Sequence, residues 1–326
     1  MARSLRIEAE GGLYHVINRG NYRSAIFGSE KAKAAFLTCL GEACVQTGWV
    51  VHAWCLMSNH YHLAVETPRP NLAEGMRWLQ GTFAMRFNRI RRERGHLFQG
   101  RYHSLLVESD GLGAVCHYIH LNPVRAGLCT VNQLADWPWT SARWLMQPKV
   151  RLAWYRPQAA LTHAGGLADT PAGRRKYADY LAWLAANKAA QRELQFERMS
   201  RGWVYGTEGF VAEMADRHLQ AKVAPAGPVL REIVQASWRV ELTQLMRRVG
   251  RSQAEAATAG KAVPWKLAVA AAMKTRTTAT NGWLTAELAM GNRFELSRKV
   301  NAWKRAPDAA LARKVGLPQT PKPDPL

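Results

Sequence analysis

Ser58-Asn59-His60-Tyr61-His62-Leu63 sets two imidazoles on either side of one bulky aromatic residue. In a β-strand successive side chains alternate, so His60 and His62 leave one face and Tyr61 leaves the other. Two imidazoles side by side on a rigid strand make half of a metal site. The flanks read as strand too: WVVHAWCLM at 49–57 and LAVET at 63–67 are rich in β-branched and aromatic residues. A His-x-His pair is also what two ordinary strand histidines look like, so the rest of the chain has to weigh the two readings.

Working outward, GLYHVIN at 12–18 reads as a first strand that ends in the turn-like Arg19-Gly20-Asn21. Residues 29–46 have helical spacing, with Phe36, Leu37 and Leu40 on one apolar face. The strands at 49–57 and 60–66 are separated only by Ser58 and Asn59. A helix over 71–90 carries Leu72, Met76, Leu79, Phe83 and Phe87 at three- and four-residue spacing. LFQGRYHSLLVE at 97–108 reads as a loop leading into a short strand, and 111–122 as a further helix stopped by Pro123 and Gly127. This order predicts an α+β domain over 1–148 with a largely antiparallel sheet. A proline- and glycine-punctuated linker over 149–172 follows, then a mostly helical domain over 173–317. The tail 318–326, with four prolines in nine residues, is expected to be disordered.

The net charge of +21 rests on 45 Lys and Arg against 24 Asp and Glu. A folded protein with so large an excess points to a polyanionic partner, above all nucleic acid. The helix at 71–90 runs into Arg86, Arg89, Arg91 and Arg92, a phosphate-contacting patch or a solvated face. Arg101, just after Phe98-Gln99-Gly100, is a candidate phosphate clamp or a plain surface arginine. The five cysteines form no CxxC pair and read as free thiols in a reducing compartment. Met1–Glu10 has no apolar segment, and no run of about eighteen apolar residues occurs, so a cytoplasmic, nucleoid-associated location without membrane contact is expected.

Two further segments carry chemistry. In CHYIHLNPVRAG (116–127), Tyr118 and Asn122 are one helical turn apart and share a face. Tyr118 reads either as a nucleophile presented beside a metal-bound phosphate or as a packed helix tyrosine. A phenol is mostly protonated at neutral pH, so an adjacent cation would have to favour the phenolate. Asn122 either supplies an oxygen ligand or shapes the turn before Pro123, which disfavours helical geometry there. Near the C-terminus, helices over 281–289 and 293–304 joined by Met290-Gly291-Asn292 read as a helix-turn-helix spanning 281–304, or as a packed helical hairpin. The second helix would offer Arg293, Glu295, Ser297, Arg298 and Asn301 to a duplex groove.

Together GLYHVINRGNYR (12–23), WCLMSNHYHLAVET (54–67), HLFQGRYHSLLVE (96–108), YIHLNPVRAGL (118–128) and DWPWTSA (136–142) resemble the REP-associated tyrosine transposases. These are single-tyrosine members of the HUH endonuclease superfamily with an IS200-type transposase domain. The resemblance covers about residues 1–146. It implies a ferredoxin-like antiparallel sheet backed by helices, and His60 and His62 as ligands of a divalent ion, Mg²⁺ or Mn²⁺. Tyr118 becomes the nucleophile that forms a 5′-phosphotyrosine link, and Asn122 the polar group one turn on. The implied substrate is single-stranded DNA folded into REP-like palindromic hairpins, with strand transfer and no nucleotide cofactor. Superfamily members can also pair as homodimers that exchange tyrosines. His15, His103, His117 and His120 are read either as assisting groups or as structural or solvated side chains.

Two other classes compete. A catalytically silent regulator would recognise hairpins and duplex through the same surfaces, against which His60, His62 and Tyr118 all stand intact. A metal-dependent hydrolase would want more carboxylates near 60–66 than Glu66 alone. A relaxase with a helicase region would need a GxxxxGK loop, and the sequence has none.

Overall fold

The computed structural model describes residues 8–220 and 228–317. By contact they form two units, one ending at Val211 and one beginning at Ala212.

In the first unit the chain runs β1 (Gly12–Arg19), α1 (Glu30–Thr47), β2 (Val50–Leu56), β3 (His60–Thr67), α2 (Leu72–Arg91) and β4 (His103–Val107). Helix α1 starts where the Ser29 hydroxyl accepts from the Ala32 amide and stops at Gly48 in the left-handed region. The strands lie in the order β2-β3-β1-β4, each antiparallel to its neighbours. A two-residue strand, β5 (Val204–Tyr205), adds parallel to β4 and makes the sheet mixed. That edge was not anticipated, because it comes from a segment almost a hundred residues further on.

The alternation of 58–63 divides the sheet into two chemically different faces. Tyr61 is fully buried among aromatic residues of the α1–α2 layer, 4.8 Å from Phe36 between ring centres. Its hydroxyl accepts from Gln80 of α2. The histidines leave the opposite face, where α3 (Leu112–His120) and the short α4 (Asn122–Arg125) cover the sheet. Pro123 falls in the first turn of α4, where its missing N–H costs nothing, so Asn122 keeps helical geometry after all.

The first unit does not end near 148. Helices α5 (Ser141–Met146), α6 (Gln158–His163), α7 (Pro171–Ala186) and α8 (Lys188–Glu193) share one apolar core with α3. The expected linker is built in: Val51 donates its amide to Trp154 and accepts from Arg156. Asp169 is gripped by Arg151 and Arg174, and the Arg151 hydrogen bond foremost holds its carboxyl below the usual range. Gly113 is needed where α6 crosses α3, since a Cβ there would lie 2.1 Å from that of His163.

A buried chain of side chains fixes α3 in place. Ser141 accepts from the Trp54 amide and donates to the Trp54 carbonyl, so toward His120 Nε2 it can only accept. His120 Nδ1 is then bare and takes the Tyr177 hydroxyl proton at 2.8 Å. Tyr177 in turn accepts from His117 Nδ1 at 2.9 Å, and His117 Nε2 accepts from His163 Nδ1. Every bond is satisfied with all three imidazoles neutral, and burial pushes His120 down to about 3 and His117 well below its ordinary value.

Helix α9 (Glu208–Gln220) runs across the boundary. The second unit holds α10 (Pro228–Val249), α11 (Gln253–Thr258), α12 (Pro264–Arg276), α13 (Asn281–Glu287), α14 (Arg293–Arg305) and α15 (Ala309–Val315). Its core is built on Leu245, Val269, Met273, Leu284 and Val300. Lys266 is fully buried and donates to the carbonyls of Ala256 and Ala259, closing the end of α11. Among the described residues no helix is long and apolar enough to cross a membrane, and the five cysteines are free. The tail expected to be disordered, 318–326, lies outside the described residues.

Candidate active site

An open cleft of about 900 Å³ lies on the histidine face of the sheet. His60, His62, Tyr118, Asn122 and Arg101, far apart in sequence, all border it. Register explains the grouping. Arg19 pairs with His60 and Ile17 with His62, which leaves His15 diagonal to His62 on the same face. The His62 ring centre is 5.1 Å from that of His60 and 5.8 Å from that of Tyr118.

His15 is not an ordinary core histidine. Its Nε2 is 3.0 Å from His62 Nδ1, and its Nδ1 is 2.7 Å from the carbonyl oxygen of Met199. Burial, chiefly, lowers His15 to about 3 and His62 well below its ordinary value; burial and the Arg19 cation lower His60. These imidazoles are therefore neutral near pH 7, the form that binds a metal.

Tyr118, only 5% exposed, is enclosed by His15, His62 and Phe196, with ring centres 5.4 to 5.8 Å away. Over its face sits Arg125, the guanidinium carbon 4.6 Å from the ring centre. Sequence reasoning passed over Arg125, although it stands two helical turns beyond Tyr118, a spacing that returns to one face. Arg19, Arg23 and Arg201 also border the cleft and make its rim strongly cationic.

The residues present fit a divalent ion. Two imidazole nitrogens and an amide are a donor set that suits Mn²⁺. Asn122 Nδ2 is buried without an acceptor, and it is the amide oxygen, not this nitrogen, that could ligate a cation. Among the described residues no cluster of three or more His, Cys, Asp or Glu is poised to hold a metal.

The other basic candidates are not gathered here. Arg86 is turned toward α1, where Glu42 pairs with it at 2.9 Å and Cys39 accepts from it. Arg91 pairs with Glu93 at 2.9 Å. Arg89 and Arg92 are exposed near the end of α2, outside the cleft lining. In the second unit Arg293, Arg298 and Asn301 are exposed on α14. Ser297 turns inward instead, accepting from Asn281 and Lys274, and Glu295 pairs with Lys299.

Comparison with known proteins agrees with the sequence resemblance. Residues 9–122 match the model of the family described as "Transposase IS200 like", so this part of the chain is transposase-like by sequence. A solved structure described as a REP-associated tyrosine transposase bound to a REP hairpin is also similar. It is 16% identical, with 48% of this chain and 92% of that one covered, at a TM-score of 0.39. No curated protein matches the chain.

Proposed function

We propose that the chain is a metal-dependent single-stranded DNA endonuclease and strand transferase that acts at palindromic hairpins through Tyr118. One observation carries this reading: the Tyr118 ring is in contact with both His62 and the Arg125 guanidinium, in the cleft that His60 and Asn122 also border. The sheet order β2-β3-β1-β4 with its helices supports a ferredoxin-like domain.

His60 and His62, with Asn122, would hold the divalent ion. When bound, it draws electron density from a non-bridging oxygen of the scissile phosphate. The other work falls to the chain's own groups. Arg125 offsets negative charge on the phenolate and draws the phosphate toward it. Tyr118 gives its phenolic proton to water, and its Oη forms a bond to phosphorus as the bond to the 3′-oxygen breaks. That oxygen takes a proton from water, leaving a 5′-phosphotyrosine and a free 3′-hydroxyl. The phosphodiester is conserved, so another 3′-hydroxyl can reverse the step and join strands. Arg19, Arg23, Arg101 and Arg201 would track the backbone of the unpaired strand. The exposed α14 residues Arg293, Arg298 and Asn301 would read duplex DNA.

The test is incubation with labelled single-stranded hairpin DNA and Mn²⁺, followed by denaturing gels. A denaturation-resistant adduct is expected that needs the metal and is absent in Tyr118→Phe. Tight binding without any adduct would favour the silent regulator.

A further inference from the structure

Each of the paired histidines ends a short hydrogen-bond chain that begins at a backbone carbonyl. The Met199 carbonyl can only accept, so His15 Nδ1 carries a proton and donates to it across 2.7 Å. His15 Nε2 is then bare, and across 3.0 Å it can only accept from His62 Nδ1. His62 is left with a lone pair on Nε2.

The second chain has a different middle residue and the same result. The Arg23 carbonyl accepts from Asn59 Nδ2 at 3.2 Å, which fixes the orientation of that amide. Asn59 Oδ1 therefore faces His60 Nδ1 at 2.7 Å and accepts its proton. His60 too is left with a bare Nε2.

We infer that His15 and Asn59 are positioning residues that lock His62 and His60 in the Nδ1–H tautomer, presenting both Nε2 lone pairs to a divalent ion. This rests on the metal reading of the site above. A histidine that binds metal through one nitrogen gains basicity and a fixed ring plane from an acceptor at the other. In most such sites a carboxylate or a carbonyl takes that place directly. Here a neutral imidazole and an amide relay it from main-chain oxygens, so no buried anion is needed beside the scissile phosphate. The Met199 link also makes residues near 199 part of the site, well beyond the segment that matches the transposase family.

The test uses the full chain without DNA. Long-range ¹⁵N–¹H correlation spectra of the metal-free protein are expected to show Nδ1–H, bare-Nε2 imidazoles at His60 and His62. Mn²⁺ affinity, read by electron paramagnetic resonance of the free ion, is expected to fall about 10- to 100-fold in His15→Phe and in Asn59→Leu. His15→Gln and Asn59→Asp keep an acceptor in place and are expected to retain most of the affinity. Asn59 is only half-buried, so its pair of variants reports even if His15→Phe misfolds. An Nε2–H tautomer at either histidine, or affinity unchanged within twofold in both Phe and Leu variants, overturns the inference. Wild type that binds no Mn²⁺ yet shows the expected tautomers sinks the metal reading and leaves the proton ordering standing.

Discussion

The guanidinium carbon of Arg125 lies 4.6 Å from the centre of the Tyr118 ring and 5.7 Å from that of Phe196. One cation is thereby held against the proposed nucleophile by two aromatic faces. A contact of this kind is worth roughly 0.5–2 kcal/mol, and on the proposed chemistry charge stabilisation in the transition state would add to it. Arg125→Ala is expected to slow adduct formation about tenfold or more while hairpin binding weakens less. Arg125→Lys, lacking the planar stack, should recover only part of the rate. Equal rates in all three proteins, measured in single-turnover gels, would remove Arg125 from the chemistry.

Arg86 and Arg101 should separate cleanly in a DNA-binding titration. Arg86 is neutralised by Glu42, whereas Arg101 borders the cleft. Arg101→Ala is expected to weaken single-stranded DNA binding and to lower the slope of log K against log salt by about one. Arg86→Ala should leave both nearly unchanged.

The stability of the first unit should fall in acid well before its carboxylates protonate. His120 is held at about 3 in the fold against an ordinary value of 6.5. Between those values the unfolded chain takes up a proton that the folded one refuses. Stability therefore rises with pH across this window and is lost as pH drops through it, by about 1.4 kcal/mol per pH unit for each such histidine. Urea midpoints measured from pH 7 to pH 4.5 should decline steadily. In His120→Gln the decline should be shallower, and an identical slope would show that His120 does not titrate as buried.

At Gly113 a methyl group would collide with the Cβ of His163 and approach the Ala159 carbonyl oxygen at 2.8 Å. Helices α3 and α6 would have to separate, at a cost of about 1–3 kcal/mol. Gly113→Ala is expected to lower the thermal midpoint by several degrees. Gly81→Ala, with open space around it, should not.

Strand alternation at 58–63 and helical spacing at 72–87 are local patterns, and the structure follows both. What escaped the sequence is what depends on pairing between distant segments. His15 looks like any strand histidine until the register of β1 on β3 sets it diagonal to His62. Arg86 belongs to a run of arginines, and only the packing of α2 on α1 reveals Glu42 beside it. The 149–172 stretch has the composition of a linker because its six-residue helix is too short to show a period. Its attachment comes instead from backbone bonds to Val51 and from Asp169.

Phe196, which packs on Tyr118, Met199, whose carbonyl meets His15, and the cleft-lining Ser200 and Arg201 are translated about eighty residues after Tyr118. During synthesis strands β1 to β4 and the tyrosine helix can leave the ribosome while residues 196–201 are still inside it. A nascent chain of this kind holds the tyrosine but not the carbonyl that orders His15. On the proposed function, the histidine arrangement beside Tyr118 would therefore be complete only once the chain has been made past Met199.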